Sequence, residues 1–225
     1  MMRVKICGIT NPEDAMLAAN AGADAIGLNF VAGPRKITPD IAATIVAAIP
    51  PFCTPVALVN VEMNPIGDSL WNAIAQLRIR TVQLYGDDHD HAVTPLLREG
   101  FIPILVHRII PDVFPTDLES RINSLDSAPP LGVVLDTHDP VQLGGTGKTF
   151  DWNIVNKAQL NAITPNPPLA ILAGGLNPSN VAKAVRIAQP WAVDVSSGVE
   201  KSPGRKCAEL MNAFVQAAKT PATSS

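Results

Sequence analysis

The chain of 225 residues is poor in aromatic and in charged side chains. Phe, Trp and Tyr together make up 4% of it and Asp, Glu, Lys and Arg 16%, whereas hydrophobic residues reach 47%. Because aromatic residues are scarce, Val, Ile, Leu and Ala must fill the core, as they do in parallel sheets that are buried on both faces. The formal net charge is −3 and basic residues do not cluster, so the composition does not indicate a nucleic-acid-binding surface.

Cysteine is also rare, and long apolar runs are missing. Cys7, Cys53 and Cys207 are odd in number and form no CxxC pair, so we expect neither a disulfide framework nor a metal site. No apolar run is long enough to cross a membrane, and the N-terminus shows no apolar signal region. We therefore expect a cytoplasmic protein without a membrane or nucleic-acid partner.

Short β-branched runs alternate with longer Ala- and Leu-rich segments, which is the pattern of repeated βα units. Eight strands are predicted, each followed by a segment that can be helical: residues 4–9, 25–30, 56–60, 81–84, 102–106, 132–136, 170–173 and 193–196. Eight units predict a closed (βα)8 TIM barrel of the α/β class, whereas five or six would give an open doubly wound sheet. A GxGxxG motif is missing after strand 1, which disfavours a dinucleotide-binding fold. We predict one domain over residues 1–219 and a disordered tail over 220–225.

Prolines that follow a capping residue predict where helices begin. A side chain of Asn, Thr or Ser accepts a hydrogen bond from the first turn, and proline at the next position gives up an amide that would be unpaired. These pairs predict helix starts after strands 1, 2, 3, 7 and 8: Asn11-Pro12, Thr38-Pro39, Asn64-Pro65, Asn177-Pro178 and Ser202-Pro203. After strand 4, a helix could begin at Thr94-Pro95 or at the acidic run 87–90.

Glycines follow strands 7 and 8, at the end of a barrel where active sites lie. Strand 7 leads to Gly174 and Gly175, and strand 8 leads to Ser196, Ser197 and Gly198. One such loop could be only a tight turn, but two on adjacent strands favour phosphate binding, because glycine lets backbone amides approach phosphate oxygens. We predict that both loops bind one phosphate group. The glycine-rich loop 144–148 lacks the spacing of a nucleotide P-loop, and we interpret it as a mobile cover.

Two candidates for proton transfer end strands 1 and 6. A lone cysteine such as Cys7 is usually a small buried hydrophobe, yet at this end of a barrel its thiolate can act as a base if its pKa is lowered. Asp136 follows an apolar run, where a buried carboxylate needs a function or a partner, although it could also cap the next loop. Together they predict a base and an acid on opposite sides of a phosphorylated substrate, as in an aldose–ketose isomerisation.

Three further side chains are expected near this pair. If Cys7 points into the barrel, alternation places Lys5 inside as well, where it needs a partner. Strand 8 is the neighbour of strand 1 in a closed barrel, and we expect a pair of Lys5 with Asp194, with Gln83 nearby. Arg35 follows Gly33-Pro34 on a stiff loop, where it either binds a carboxylate or phosphate in bidentate fashion or is an ordinary solvated arginine.

The motifs at the strand ends together resemble those of the phosphoribosylanthranilate isomerase family, over about Val4 to Val215. The motifs are Lys5-Ile-Cys-Gly-Ile-Thr10, Pro34-Arg35, Gln83-Leu-Tyr-Gly-Asp87, Leu135-Asp136, Gly144-Gly-Thr-Gly147 with Phe150-Asp-Trp152, Ala173-Gly-Gly-Leu176 and Asp194-Val-Ser-Ser-Gly-Val-Glu200. The resemblance implies a (βα)8 barrel that converts N-(5-phosphoribosyl)anthranilate to 1-(2-carboxyphenylamino)-1-deoxyribulose 5-phosphate in tryptophan biosynthesis, without a metal or organic cofactor. It also implies that Cys7 is the general base, that Asp136 is the general acid and that Arg35 contacts the anthranilate carboxylate.

Three departures from the family's pattern are present. Tyr85 stands where the family usually has histidine, Gly33 where it has serine, and Val56-Ala-Leu-Val-Asn60 where it often has Gly-Val-Phe-Val-Asn. We assign no catalytic role to Tyr85, which keeps a hydrogen-bonding group but lacks an imidazole.

Two other functions remain open. The histidine-pathway isomerase performs the same rearrangement on a substrate with two phosphates, but strand 3 here lacks a Gly-Gly loop, and that enzyme typically has aspartate at the position of Cys7. A non-catalytic barrel that binds a phosphorylated ligand is the second alternative; the pair of Cys7 and Asp136 argues against it, and Tyr85 favours it. The sequence is compatible with a monomer or a homodimer.

Overall fold

The computed structural model of the chain describes residues 1–86, 90–109, 132–137, 149–155 and 169–220. Its central feature is a closed barrel of eight parallel strands in chain order, in which the first strand also pairs with the last. Strands β1 to β8 are Arg3–Cys7, Ala25–Asn29, Thr54–Val59, Thr81–Leu84, Ile102–Ile109, Gly132–Thr137, Leu169–Leu172 and Ala192–Val195. The predicted (βα)8 class is therefore confirmed, and all eight strands lie where the sequence placed them, with small differences at the boundaries.

Six α-helices belong to the described residues; five connect successive strands and the sixth follows the last strand of the barrel. Helices α1 to α6 are Pro12–Asn20, Pro39–Ala48, Ser69–Gln76, Val93–Arg98, Val181–Ala188 and Ala208–Lys219. A hairpin of β9, Glu200–Ser202, and β10, Arg205–Lys206, lies between β8 and α6. After β6, residues 149–155 include a 3₁₀ turn over Trp152–Val155. The helix predicted after strand 5, the loop 144–148 and residues 221–225 lie outside the described residues. Within the described ranges, every helix is too short or too polar to cross a bilayer.

Two of the predicted proline-marked helix starts are confirmed. Asn11 precedes α1 and its side chain accepts a hydrogen bond from the Asp14 amide at 2.8 Å. Thr38 precedes α2 and accepts from the Ile41 amide at 3.4 Å. In both helices proline occupies the first position, where its missing N–H costs nothing.

The other three predicted starts are wrong, because proline after a polar residue also suits tight turns. Helix α3 begins at Ser69, where Asp68 caps it, after a turn at Pro65 in which Gly67 has φ +96°. Asn177-Pro178 forms an Asx turn that precedes α5, with the Ser179 amide donating to the Asn177 side chain. Ser202-Pro203 belongs to the turn of the β9–β10 hairpin, where Gly204 has φ +76°. Helix α4 begins at Val93, one residue before Thr94.

The inside of the barrel is apolar in its lower layers and polar near the carboxyl ends of the strands. Small aliphatic residues fill the apolar part: Val56, Ile104, Val106, Val134, Ile171, Ala173 and Ala192. A second and larger core lies between the barrel and its helices and is also built mainly of Ile, Leu, Val and Ala. Above the inner core lie the buried polar side chains of Lys5, Gln83 and Asp194. Polar groups inside a barrel are costly unless they are paired, so this layer marks the functional end.

Candidate active site

One pocket at the carboxyl ends of the strands contains nearly all of the predicted site residues. Its wall includes Cys7, Arg35, Tyr85, Asp136, Gly174, Gly175 and Ser197. Gly198, the remaining predicted residue, lies directly beside the wall in the turn after Ser197. Among the described residues, no three His, Cys, Asp or Glu side chains are grouped so that they could hold a metal ion. The barrel thus brings together residues that are up to 190 positions apart in the chain.

The predicted pair of Lys5 and Asp194 lies beside this pocket, which Asp194 lines. The two residues are register partners on the adjacent strands β1 and β8, and Lys5 Nζ donates to Asp194 Oδ2 at 2.8 Å. Both side chains are buried. Burial alone would lower the pKa of Lys5, but the Asp194 carboxylate and Cys7 raise it above its ordinary value, so the amine stays charged. The expected pair is confirmed.

Two buried oxygen atoms beside this pair have no hydrogen-bond partner among the described residues. They are Gln83 Oε1 and Asp194 Oδ1, and both side chains line the pocket. An unpaired buried acceptor is costly, so such atoms in a pocket are suited to accept hydrogen bonds from a ligand's hydroxyl groups.

Cys7 is buried at the end of β1, and its sulfur packs against the backbone of β2. A Cβ added at Gly27 would lie 2.6 Å from Cys7 Sγ and 3.0 Å from its Cα, so only glycine fits there. Burial raises the pKa of the Cys7 thiol above its ordinary value, although Lys5 and Lys206 favour the thiolate. The pKa of Cys7 is therefore not lowered in the way that would ease its use as a base. Sequence reasoning missed Gly27, and a glycine within a strand is the signal that could have indicated it.

Asp136 lies next to the last residue of β6, where its side chain is half-buried, and its pKa is raised. Burial raises its pKa to about 6, and the nearby Asp194 carboxylate adds to this, whereas the hydrogen bond from the Thr137 amide opposes it. That amide donates to Asp136 Oδ1 at 2.9 Å and orients the carboxyl group. A carboxyl group with a pKa close to neutral can give up a proton at physiological pH, as a general acid must.

Tyr85 lies on the pocket wall between Asp136 and the loop after β2. The Arg108 guanidinium carbon is 5.7 Å from the centre of its ring, within the range of a cation–π contact. Burial and then Asp136 raise the pKa of the phenol, so the group stays protonated at neutral pH. Tyr85 can donate a hydrogen bond to a ligand but cannot serve as a base.

The two glycine loops lie against each other and against β6. Gly174 has φ +83°, and a Cβ there would meet the backbone amide of Thr137 at 2.7 Å. A Cβ on Gly198 would overlap the carbonyl of Leu176. Ser197 begins a 3₁₀ turn, whose first amides have no acceptor within the turn. Among the described residues, no hydrogen bond is donated by the amides of Gly174, Gly175, Ser197 or Gly198, so these donors are available to an anion.

Arg35 is held in place rather than solvated. Its Nε donates to Glu200 Oε1 at 2.8 Å and its Nη2 to Glu200 Oε2 at 2.7 Å, which is a bidentate pair. The same carboxylate accepts from Lys206 Nζ at 2.8 Å. The hydrogen bond to Glu200, together with its charge, raises the pKa of Arg35. Sequence reasoning missed Glu200 and Lys206 as functional residues, because only folding brings Glu200 to Arg35, 165 positions earlier, and Lys206 to Glu200.

Comparison with known proteins agrees with this site. A family model described as N-(5′-phosphoribosyl)anthranilate isomerase matches residues 4–217. The enzyme of that name from Geobacter sulfurreducens is 42% identical over 97% of this chain and 99% of its own length. The crystal structure of phosphoribosyl anthranilate isomerase from Thermotoga maritima superposes with a TM-score of 0.82 at 34% identity, covering 97% of this chain and 99% of that one.

A second similar structure holds a ligand. It is a phosphoribosyl anthranilate isomerase in complex with reduced 1-(o-carboxyphenylamino)-1-deoxyribulose 5-phosphate, with a TM-score of 0.78, 31% identity, and coverage of 97% of this chain and 99% of that one. The family model and the relatives each span almost the whole barrel, including every strand end that forms the pocket. This chain belongs to the N-(5′-phosphoribosyl)anthranilate isomerase family.

Proposed function

We propose that this chain catalyses the Amadori rearrangement of N-(5-phosphoribosyl)anthranilate with Cys7 as general base and Asp136 as general acid. The product is 1-(2-carboxyphenylamino)-1-deoxyribulose 5-phosphate, an intermediate of tryptophan biosynthesis. The observation that carries the assignment is that a thiol and a carboxyl group with a pKa of about 6 line one pocket with two loops of free amides. The substrate has one phosphate, and the described strand ends offer one such pair of loops.

The substrate is held at its two ends. The 5-phosphate accepts hydrogen bonds from the amides of Gly174, Gly175, Ser197 and Gly198. The anthranilate carboxylate binds Arg35, whose Nη1 has no acceptor among the described residues once Glu200 has taken Nε and Nη2. Both ends of the substrate are anions. Free backbone amides are suited to bind the phosphate, and a guanidinium is suited to bind the carboxylate.

The reaction begins with opening of the ribose ring. Asp136 donates its proton to the ring oxygen, the bond from that oxygen to C1 breaks, and the nitrogen lone pair forms a C1=N double bond. The product is a protonated Schiff base with a free 4-hydroxyl group, and Asp136 is left as carboxylate. Burial raises the pKa of Asp136, so at neutral pH a larger fraction of this group holds the proton to be donated than in an ordinary carboxyl group.

The proton on C2 is then removed by the Cys7 thiolate. The electrons of the C2–H bond form a C1=C2 double bond, and the C1=N electrons return to nitrogen, which neutralises the iminium charge. The resulting enaminol becomes the ketone when its hydroxyl proton leaves and C1 gains a proton. The positive charge of the Schiff base lies next to C2, so its formation favours the thiolate that must act there.

Buried acceptors below the substrate orient the ribose. Gln83 Oε1 and Asp194 Oδ1 face the same pocket without a partner among the described residues. We assign them to the 2- and 3-hydroxyl groups, which would each donate one hydrogen bond. This contact fixes C2 relative to Cys7, and correct placement of reacting atoms is a large part of catalysis.

One assay separates catalysis from ligand binding. Purified protein is expected to consume phosphoribosylanthranilate, measured as loss of anthranilate-type fluorescence, and Cys7→Ala and Asp136→Ala should each lower kcat by about 10²- to 10⁴-fold. Cys207→Ala, which changes a half-exposed thiol outside the pocket, is the matched control and should retain activity. If the wild type binds a phosphorylated product analogue but does not turn over, the non-catalytic alternative is correct.

We also propose a cytoplasmic enzyme whose partners are small phosphorylated molecules. Membership of a family of amino-acid biosynthesis supports this location, and the Thermotoga maritima relative is described as dimeric. Light scattering on the purified protein distinguishes a monomer from a homodimer.

A further inference from the structure

Glu200 and Lys206 form a buried charged network behind the pocket wall. Both oxygens of Glu200 are used: Oε1 accepts from Arg35 Nε and from Lys206 Nζ, each at 2.8 Å, and Oε2 accepts from Arg35 Nη2 at 2.7 Å. The side chain of Lys206 is 0% exposed and that of Glu200 is 4% exposed. Two cations thus share one carboxylate in a place where water does not screen them.

Lys206 also reaches the loop that we assign to the phosphate. Its Nζ donates a second hydrogen bond, at 3.1 Å, to the carbonyl of Ser196, the residue immediately before Ser197 and Gly198. A continuous chain of contacts therefore runs from the Arg35 guanidinium through Glu200 and Lys206 to the start of the phosphate loop.

The hairpin that carries the two residues is itself fastened to the barrel. The Lys206 amide donates to Asp14 Oδ2 at 3.0 Å, and Thr10 Oγ1 donates to the Gly204 carbonyl at 2.6 Å. Thr10 lies in the segment that joins β1 to α1, and Asp14 lies in the first turn of α1, so both contacts are to residues that closely follow Cys7. The network is consequently built on a rigid frame, as positioning groups must be.

We propose that Glu200 and Lys206 are positioning residues that hold Arg35 and the phosphate loop at a fixed separation, so that the carboxylate and phosphate ends of the substrate are bound as a unit. This inference rests on the proposed function, because it takes Arg35 and the loop as the two anchors. Glu200 fixes the plane of the guanidinium and leaves Nη1 for the substrate, and Lys206 joins that arrangement to Ser196. Neither residue lines the pocket.

A purely structural role would not require charges at these positions. A buried ion pair is often no more stabilising than apolar side chains of similar size, because removing charges from water is costly. Positioning does require them, because a bidentate carboxylate sets the orientation of a guanidinium in a way that an apolar contact cannot.

A double-mutant cycle on KM tests the role of Glu200. Arg35→Ala should raise KM for phosphoribosylanthranilate about tenfold or more, the loss expected for a hydrogen bond between charged groups, with a smaller change in kcat. Glu200→Gln should give a similar rise alone but add less than about twofold in the Arg35→Ala background, because its effect passes through Arg35. If the two effects multiply, Glu200 does not act through Arg35 and the inference is overturned.

Competitive inhibitors test the role of Lys206. In Lys206→Met, inhibition by inorganic phosphate and by anthranilate should both weaken, whereas in Arg35→Ala only inhibition by anthranilate should weaken. Unchanged inhibition by both probes in Lys206→Met contradicts the proposal. If Arg35→Ala itself leaves KM and anthranilate inhibition unchanged, the assignment of Arg35 under the proposed function is what fails.

Thermal unfolding followed by circular dichroism accompanies each variant. If Glu200→Gln does not fold, Lys206→Met takes its place in the cycle with Arg35→Ala, measured as inhibition by anthranilate, for which the same lack of additivity is expected. If neither single variant folds, the network is required for the fold itself and the positioning role is rejected.

Discussion

The proposed acid and base have pKa values in the reverse of the order that proton transfer would favour. Asp136 must be protonated to act, yet its pKa is about 6, and Cys7 must be a thiolate, yet its pKa lies above the ordinary 9.0. Below pH 6, Asp136 is protonated and each pH unit increases the thiolate tenfold, so kcat/KM should rise. Between about pH 6 and the pKa of Cys7, the gain in thiolate is cancelled by the loss of protonated Asp136, so we expect a plateau. Above the pKa of Cys7, kcat/KM should fall.

The fraction of enzyme in the active protonation state depends on the separation of the two pKa values. Because the pKa of Cys7 lies well above that of Asp136, only a small fraction of the enzyme has both groups in the required protonation state on the plateau, and a higher pKa for Cys7 makes that fraction smaller. Asp136→Asn removes the acid, so the plateau should be replaced by a rate that rises about tenfold per pH unit toward the pKa of Cys7. At neutral pH this variant should be about 10²- to 10⁴-fold slower than the wild type.

The measurement is the pH profile of kcat/KM from loss of substrate fluorescence. The substrate phosphate also titrates near pH 6, and its effect on the pH profile is the same in every variant. The difference between the wild type and Asp136→Asn therefore reports the titration of the enzyme's own groups. Cys207→Ser serves as the control and should keep the wild-type profile. A wild-type rate that falls tenfold per unit above pH 6 would show that the thiolate is already formed there, and it would refute the pKa order derived from burial.

Three further predictions concern glycines and the buried pair. Gly174→Ala should raise KM and weaken inhibition by inorganic phosphate about tenfold, because its Cβ meets the Thr137 backbone. Gly100→Ala is the control: Gly100 has φ +78°, so it shares the backbone strain, but its Cβ makes only an ordinary contact at 3.9 Å and KM should be unchanged. Gly27→Ala should lower kcat at least about tenfold, since the added methyl displaces the Cys7 sulfur, and a wild-type kcat would contradict this packing. Lys5→Met leaves Asp194 buried and unpaired, so it should lower the free energy of unfolding by about 3–5 kcal/mol in urea titrations. Lys219→Met, whose partner Asp24 is 44% exposed, should cost less than about 1 kcal/mol, and equal losses would refute the contrast.

The strands and the barrel class were predictable because they depend on local pattern. β-branched runs recur eight times, and a parallel strand that is buried on both faces leaves the same mark wherever it lies. Helix starts were less predictable, because a polar residue followed by proline occurs both at the start of helices and in tight turns. Asn11-Pro12 begins a helix, whereas Ser202-Pro203 begins a hairpin turn, and only the chain that follows distinguishes them.

The pair of Lys5 and Asp194 was predictable from alternation and closure. Strand alternation put Lys5 inside with Cys7, and a closed barrel makes β1 and β8 neighbours, so one candidate partner remained. Residues whose position does not follow from strand alternation or barrel closure were missed. Glu200 and Lys206 follow the last strand, and nothing in their sequence neighbourhood indicates contact with Arg35.

The sequence alone determined which residue types stand at the strand ends: the thiol, the carboxyl group, the arginine and the two glycine loops. It could do so because strand ends are marked by a local change from apolar to polar or glycine residues. Only the tertiary structure decided their environment. Burial depends on which atoms of distant segments surround a group. It raises the pKa of Cys7, which the sequence left undetermined, and it brings the pKa of Asp136 to about 6. Folding also turns Arg35 from a candidate solvated side chain into the ion-pair partner of Glu200, with 13% of its side chain exposed.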